Sequence, residues 1–205
     1  MIKKIEVEIR GPIKESDYKR LNRFFLNEGH FIDHKNRIAI CYPDPETGSY
    51  VENLKSDIRV RSTNGIPELI IKKGKWGGKE SREELSLKIT KGEFDKLVMI
   101  MGALGFKKGI TVVRNGKIFD YKGIEFSLVQ VPNHSYYFEA EVMVTKKSEV
   151  KKTRENMETI CKKLGLTLFD DKDFYNYINK LNAEANVAFD FEKYKPGNFK
   201  KKFGI

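Results

Sequence analysis

The chain opens on a strict alternation. Ile5, Val7 and Ile9 share one parity, and Glu6, Glu8 and Arg10 share the other, so an extended strand here turns its aliphatic side chains one way and its charges the other. The same two-residue period returns in Ile58-Arg59-Val60-Arg61, in Glu84-Leu85-Ser86-Leu87-Lys88-Ile89 and in Phe138-Glu139-Ala140-Glu141-Val142. A turn at Asn64-Gly65-Ile66-Pro67 leads back into Leu69-Ile70-Ile71-Lys72-Lys73, which predicts a hairpin with Lys72 as the cation of its returning strand. Further strands are expected over residues 38–42, 111–119, 123–131 and 136–144.

Between these strands the period lengthens to that of a helix. One helix is expected after Ser16, with Leu21, Phe24 and Phe25 on its apolar face and Gly29 as its stop. A second begins at Thr90-Lys91-Gly92-Glu93 and carries Leu97, Ile100, Met101 and Leu104; a third runs from about 148 to 164 before Gly165; a short fourth, 172–182, carries Phe174, Tyr177, Ile178 and Leu181. Periodicity fades beyond Asn182. The two expected units are a folded domain over 1–182 and a flexible basic tail over 183–205 that ends Phe199-Lys200-Lys201-Lys202.

A single charged strand face is ordinary, because half-buried strands turn polar residues to water. Several of them, beside helices whose apolar stripes need cover, call for a different arrangement. The economical one is an α+β fold in which a strongly curved or closed antiparallel sheet carries its helices on the outer aliphatic face and its charges inside. Those charges are sorted along the chain, with carboxylates at the beginning and end and cations in the middle.

Composition narrows the partner. The 205 residues hold 39 Lys+Arg against 29 Asp+Glu, a net charge of +10, which points to an anion. Cys41 and Cys161 lack metal-ligand spacing and read as buried thiols, and His30 and His34 as structural histidines. No hydrophobic run is long enough to span a bilayer and Met1 to Arg10 has no signal-peptide core, so the expectation is a cytoplasmic protein with no membrane partner. Carboxylates two residues apart sit about 7 Å from one another along a strand and suit hard divalent cations, whereas arginine forks suit phosphate oxygens. Both kinds around one cavity imply a polyphosphate.

Glu6-x-Glu8-x-Arg10, Arg59-x-Arg61, Lys72, Arg82-Glu83-Glu84, Phe138-Glu139-x-Glu141 and the helix start Asp173-Phe174-Tyr175 occur in an order that resembles the CYTH superfamily, the triphosphate tunnel metalloenzymes. The resemblance spans roughly residues 2 to 181. It implies a closed eight-stranded antiparallel β-barrel, a tunnel with helices packed outside, that binds a triphosphate with Mg²⁺ or Mn²⁺. By the same resemblance Glu6, Glu8, Glu139 and Glu141, with Glu84 as a further member, are metal-binding carboxylates. Arg59, Arg61 and Lys72 are its phosphate-binding cations, joined by Arg114 and Lys117 as weaker matches and by Lys88 on its strand face alone. Glu6, Glu8 and Arg10 would form the catalytic group, with Arg10 where the family usually has lysine. Two acidic positions differ: Ser86 stands at one, and Ser127-Leu128-Val129-Gln130 covers the other.

The expected function is therefore a metal-dependent phosphohydrolase acting on inorganic, nucleoside or thiamine triphosphate. A class IV-like adenylyl cyclase and a noncatalytic module for triphosphates or an RNA 5′ end are the alternatives, and the resemblance leaves a homodimer open.

Overall fold

The computed structural model describes residues 5–203. Eight strands close into an antiparallel barrel: β1 (Ile5–Ile13), β2 (His30–Tyr42), β3 (Ser56–Thr63), β4 (Ile66–Lys73), β5 (Lys79–Lys88), β6 (Lys108–Tyr121), β7 (Ile124–Val131) and β8 (Ser135–Val144). Their order is β2-β3-β4-β5-β1-β8-β7-β6, and a β2–β6 ladder running from His30↔Asp120 to Cys41↔Ile110 closes the ring. A short ninth strand, β9 (Val187–Asp190), pairs with Lys108 to Thr111 of β6. Five α-helices accompany it among the described residues: α1 (Glu15–Glu28), α2 (Phe94–Ala103), α3 (Lys147–Lys163), α4 (Asp171–Glu184) and α5 (Asn198–Phe203).

Two hairpins show why the strands return where they do. Asn64-Gly65 and Lys122-Gly123 each hold positive φ at both central positions (51° and 80°, 58° and 73°). That geometry matches the twist of the flanking strands and favours Asn or Gly. It fixes the β3–β4 and β6–β7 registers, Thr63↔Ile66 and Tyr121↔Ile124.

β1 is not a wet edge. It pairs with β5 on one side and β8 on the other, and Ile5 through Arg10 are buried on both faces. Outside, Val7 and Ile9 join Leu21 and Phe25 of α1, Met157 and Cys161 of α3, and Phe119, Phe126 and Phe138 in one core. A second core lies on the opposite outer side, where Phe94, Leu97, Val98 and Met101 of α2 cover Ile38, Ile40, Ile58 and Val60. A third cluster, Val51, Leu54, Trp76, Phe169 and Phe174, caps one end of the barrel.

The chain beyond Asn182 differs from the expected free tail. Phe189 of β9 and Phe199 of α5 are buried in the second core, and Asp95 of α2 accepts hydrogen bonds from the Tyr194 hydroxyl and from the Gly197 N–H. Aromatic residues at irregular spacing carry this packing, so a search for period two or 3.6 passes over them. Replacing Phe199 with alanine should destabilise the protein by about 3 kcal/mol in urea denaturation, the scale of a buried phenylalanine; a free tail would give no change.

Candidate active site: a charged bore with one end covered

The inward parity of the eight strands lines a cavity of about 280 Å³. β1 supplies Glu6, Glu8 and Arg10, β3 supplies Arg59 and Arg61, β4 supplies Lys72, and β5 supplies Arg82 and Glu84; Arg114 comes from β6, and Glu139 and Glu141 from β8. The two walls differ in sign. Antiparallel registry sets Glu8 beside Glu141 and Arg10 beside Glu139 on the acidic side, whereas β2 and β3 contribute Lys35, Arg37, Arg59 and Arg61. α4 crosses one mouth and adds Phe174, Ile178, Leu181 and Asn182 to the lining, with Asn186 following just beyond its end. Asp170 fixes its start by accepting from the Asp173 N–H.

Most of the charges in the bore are paired within it. Lys72 bridges Glu6 and, at 3.3 Å, Glu84, with Glu8 at 4.0 Å. Arg10 donates to Glu8, reaches Glu80 at 3.1 Å, and lies with its guanidinium carbon 4.8 Å from the Phe174 ring centre. Arg82 spans Glu80 and Asp57, Asp57 also receives Arg59, and Glu68 receives Arg61 at 2.7 Å. Burial opposes ionisation of Glu8, but Arg10 and Lys72 hold it well below the usual carboxylate range. Burial likewise works against ionisation of Asp57, and Arg59 and Arg82 keep it low. Burial pushes Glu6 up to about 9 against the pull of Lys72, and lifts Glu141, beside Glu8, Glu125 and Glu139, to about 7.

Oxygens of Glu6, Glu8 and Glu80 lie within 4.8 Å of one another, and all three residues are buried. Three hard oxygen donors at that spacing fit a divalent ion such as Mg²⁺ or Mn²⁺. Glu80 was not among the expected ligands. Alternation from Glu84 back through Arg82 reaches it, but a strand taken to start at Glu84 leaves it outside; β5 begins at Lys79. Asp57, Glu68, Arg37 and Lys35 are also additions, at inward-parity positions just ahead of the strands expected from residues 58, 69 and 38, which begin earlier in the structure.

Two expected phosphate ligands stand elsewhere. Lys117 lies between the inward positions Gly116 and Ile118 and donates to Asn22 of α1 at 3.0 Å, outside the barrel. Lys88 shares the parity of Glu84, but it is the exposed last residue of β5, where the strand has left the bore. The acid sought within residues 127–130 has a counterpart at Glu125, opposite Glu141 and paired with Lys35 at 2.7 Å.

A closed antiparallel barrel whose bore carries facing acidic and basic walls defines a triphosphate tunnel protein. The CYTH domain profile matches residues 4–175, and the chain belongs to the CYTH family. No curated protein matches it by sequence. Among solved structures it is similar to the PH1819 protein of Pyrococcus horikoshii (23% identity, TM-score 0.67, covering 85% of this chain and 99% of that one). It is also similar to a putative adenylate cyclase of Vibrio parahaemolyticus (16%, 0.60, 86% and 98%). A third is the putative adenylyl cyclase HpAC1 of Hippeastrum, described as having a dominant triphosphatase activity (13%, 0.53, 82% and 90%). At these identities the likeness is one of fold. No helix among the described residues is long and apolar enough to cross a membrane.

The raised carboxylates set a pH dependence. A group whose folded pKa lies above its unfolded value holds a proton that the unfolded chain has already shed, so its stabilising contribution is whole below about pH 4.5. It is then lost as pH rises through about 7 for Glu141 and about 9 for Glu6. The melting temperature of the metal-free protein should therefore fall between pH 6 and 9. Mn²⁺ should restore it most at the alkaline end, where protons compete least for the carboxylates. Differential scanning calorimetry across that range checks both signs; a flat or rising profile contradicts the assignment.

Proposed function

We propose that the chain is a divalent-metal-dependent phosphohydrolase whose substrate is a small molecule bearing a triphosphate. The observation that carries this reading is the buried Glu6-Glu8-Glu80 cluster facing a wall of cations across one bore. Carboxylates alone would serve any hard cation, and arginines alone any anion. Their confinement to one cavity suits a polyanion that brings its own divalent ion.

Glu6, Glu8 and Glu80 would hold Mg²⁺ or Mn²⁺, with Glu139, Glu141 and Glu84 on the adjoining strands as further donors. When bound, such an ion orients the phosphates and lowers the pKa of a coordinated water. The chain's cations do the rest: Arg59, Arg61, Lys72 and Arg114 neutralise and align the phosphates, so that an attacking water and the departing phosphate oxygen lie in line across one phosphorus. Arg10 positions Glu8 and Glu80 rather than moving a proton, because two carboxylates and the Phe174 ring hold its fork in place. With α4 across one mouth, substrate enters from the other. That limits the organic group, if there is one, to the Glu6 side of the bore.

Hydrolysis is favoured over cyclisation by the Hippeastrum structure, a putative adenylyl cyclase whose described activity is dominantly that of a triphosphatase. The test is phosphate release from tripolyphosphate, ATP and thiamine triphosphate, with Mg²⁺, with Mn²⁺ and with EDTA. At least one substrate should yield phosphate with metal and none with chelator. Glu80→Gln should weaken Mn²⁺ binding by at least about tenfold in calorimetric titration. Cyclic nucleotide and pyrophosphate from ATP would instead mark a cyclase, and tight binding without turnover a binding module.

A further inference from the structure

Among the described residues eight cations line the bore, and six of them already have a carboxylate within 4.0 Å. Arg10 has Glu8 and Glu80, Lys35 has Glu125, Arg59 has Asp57, Arg61 has Glu68, Lys72 has Glu6, Glu8 and Glu84, and Arg82 has Asp57 and Glu80. Arg37 and Arg114 have none that close among the described residues, although Arg37 acts on Glu139 from a distance and favours its ionised form. Arg114 donates only to neutral acceptors, the Val113 carbonyl at 2.7 Å and the Asn186 side chain at 3.1 Å. Arg37 makes no side-chain hydrogen bond or ion pair there, and its Nε is buried without a partner.

These two are also neighbours. Arg37 of β2 is registered directly against Arg114 of β6, and both line the cavity. Like charges opposite one another on adjacent strands destabilise a sheet, and a buried donor left unpaired adds to that. Arg61, one strand over, feels the same field: burial and the nearness of Arg37 lower its pKa despite Glu68.

We propose that Arg37 and Arg114 form an anion site, taking one phosphate group of the bound polyphosphate between their two guanidinium forks. The pairing assigns a ligand contact to Arg37, which no motif marks. It also divides the cations of the tunnel by role. The six paired ones must give up or share a carboxylate to reach a phosphate, whereas this pair is relieved by one. The inference rests on the triphosphate reading, and its chemistry is that of a phosphoryl dianion.

The test compares wild type with Arg37→Gln and Arg37→Lys by thermal melting and by calorimetric titration with inorganic phosphate and with tripolyphosphate. Arg37→Gln should melt at a higher temperature than wild type when no anion is present, because it removes the repulsion. It should bind tripolyphosphate about 10- to 100-fold more weakly, the scale of a lost charged hydrogen bond, and lose most of the stabilisation that phosphate gives wild type. Arg37→Lys should recover part of the affinity. A merely structural arginine predicts the opposite first result, a lower melting temperature. Unchanged tripolyphosphate binding by Arg37→Gln would overturn the assignment while leaving the triphosphatase reading intact. Phosphate stabilisation that depends on Arg37, in a protein that turns over none of the triphosphates, would keep the anion site and remove the hydrolase. A wild type that binds neither anion would overturn both.

Discussion

Taking charge out of water is the constraint that this barrel answers. An ionised carboxylate or guanidinium loses several kcal/mol of hydration when buried, and the loss is recovered only where a partner of opposite sign and good geometry waits. The bore meets it with a connected set of partners: Lys72 among Glu6, Glu8 and Glu84, Arg10 between Glu8 and Glu80, Arg82 between Glu80 and Asp57. The outer face of β1 can then be apolar and covered by α1 and α3, so that the strand is buried on both sides without a continuous hydrophobic run. Closing the sheet follows from the same need, because an open sheet would leave these pairs to solvent and their attraction to screening.

On the proposed reading, the arrangement also suits a cation and a polyanion at once. Glu6, Glu8 and Glu80 crowd together at the expense of Glu6, whose carboxyl burial pushes up toward the protonated form against the pull of Lys72. A divalent ion offers more positive charge to that corner than one proton does. Across the bore the excess has the other sign at Arg37 and Arg114. The paired charges between these corners stabilise the empty barrel, and on the proposed reading the corners without a close partner would favour a ligand that carries both signs.

Much of this was legible in the chain because parity survives folding. Glu6, Glu8, Arg10, Arg59, Arg61, Lys72, Glu139 and Glu141 all share the cavity because alternation about a recognised strand leaves them no other face. The same rule, applied without a lapse, separates Arg114 from Lys117, whose odd spacing puts them on opposite faces. What parity cannot say is where a strand enters and leaves the bore. Glu80 and Lys88 sit on the correct face of β5, yet one is buried beside Glu8 and the other is exposed beyond the rim. Only the pairing of β5 with β1, Glu8↔Glu80 through Ile5↔Glu83, marks the depth. The C-terminal aromatics escape for a related reason: their burial depends on α2 being laid over β3 and β4, which has no local signature near Phe189 or Phe199.

Arg10 shows how one substitution in a recognisable motif can change a role without changing a charge. A lysine there would place a single mobile ammonium near Glu8. The arginine fork instead reaches Glu8 and Glu80 together, and its flat face meets Phe174. Around it the backbone is tied as well, since the Arg10 N–H donates to the Gly78 carbonyl and the Arg10 carbonyl accepts from the Phe169 N–H. β1, the β4–β5 connection and the approach to α4 therefore meet at one residue. Such a group is too constrained to follow a proton through a reaction, and well placed to hold Glu8 and Glu80 at a fixed separation while α4 covers the mouth beside them.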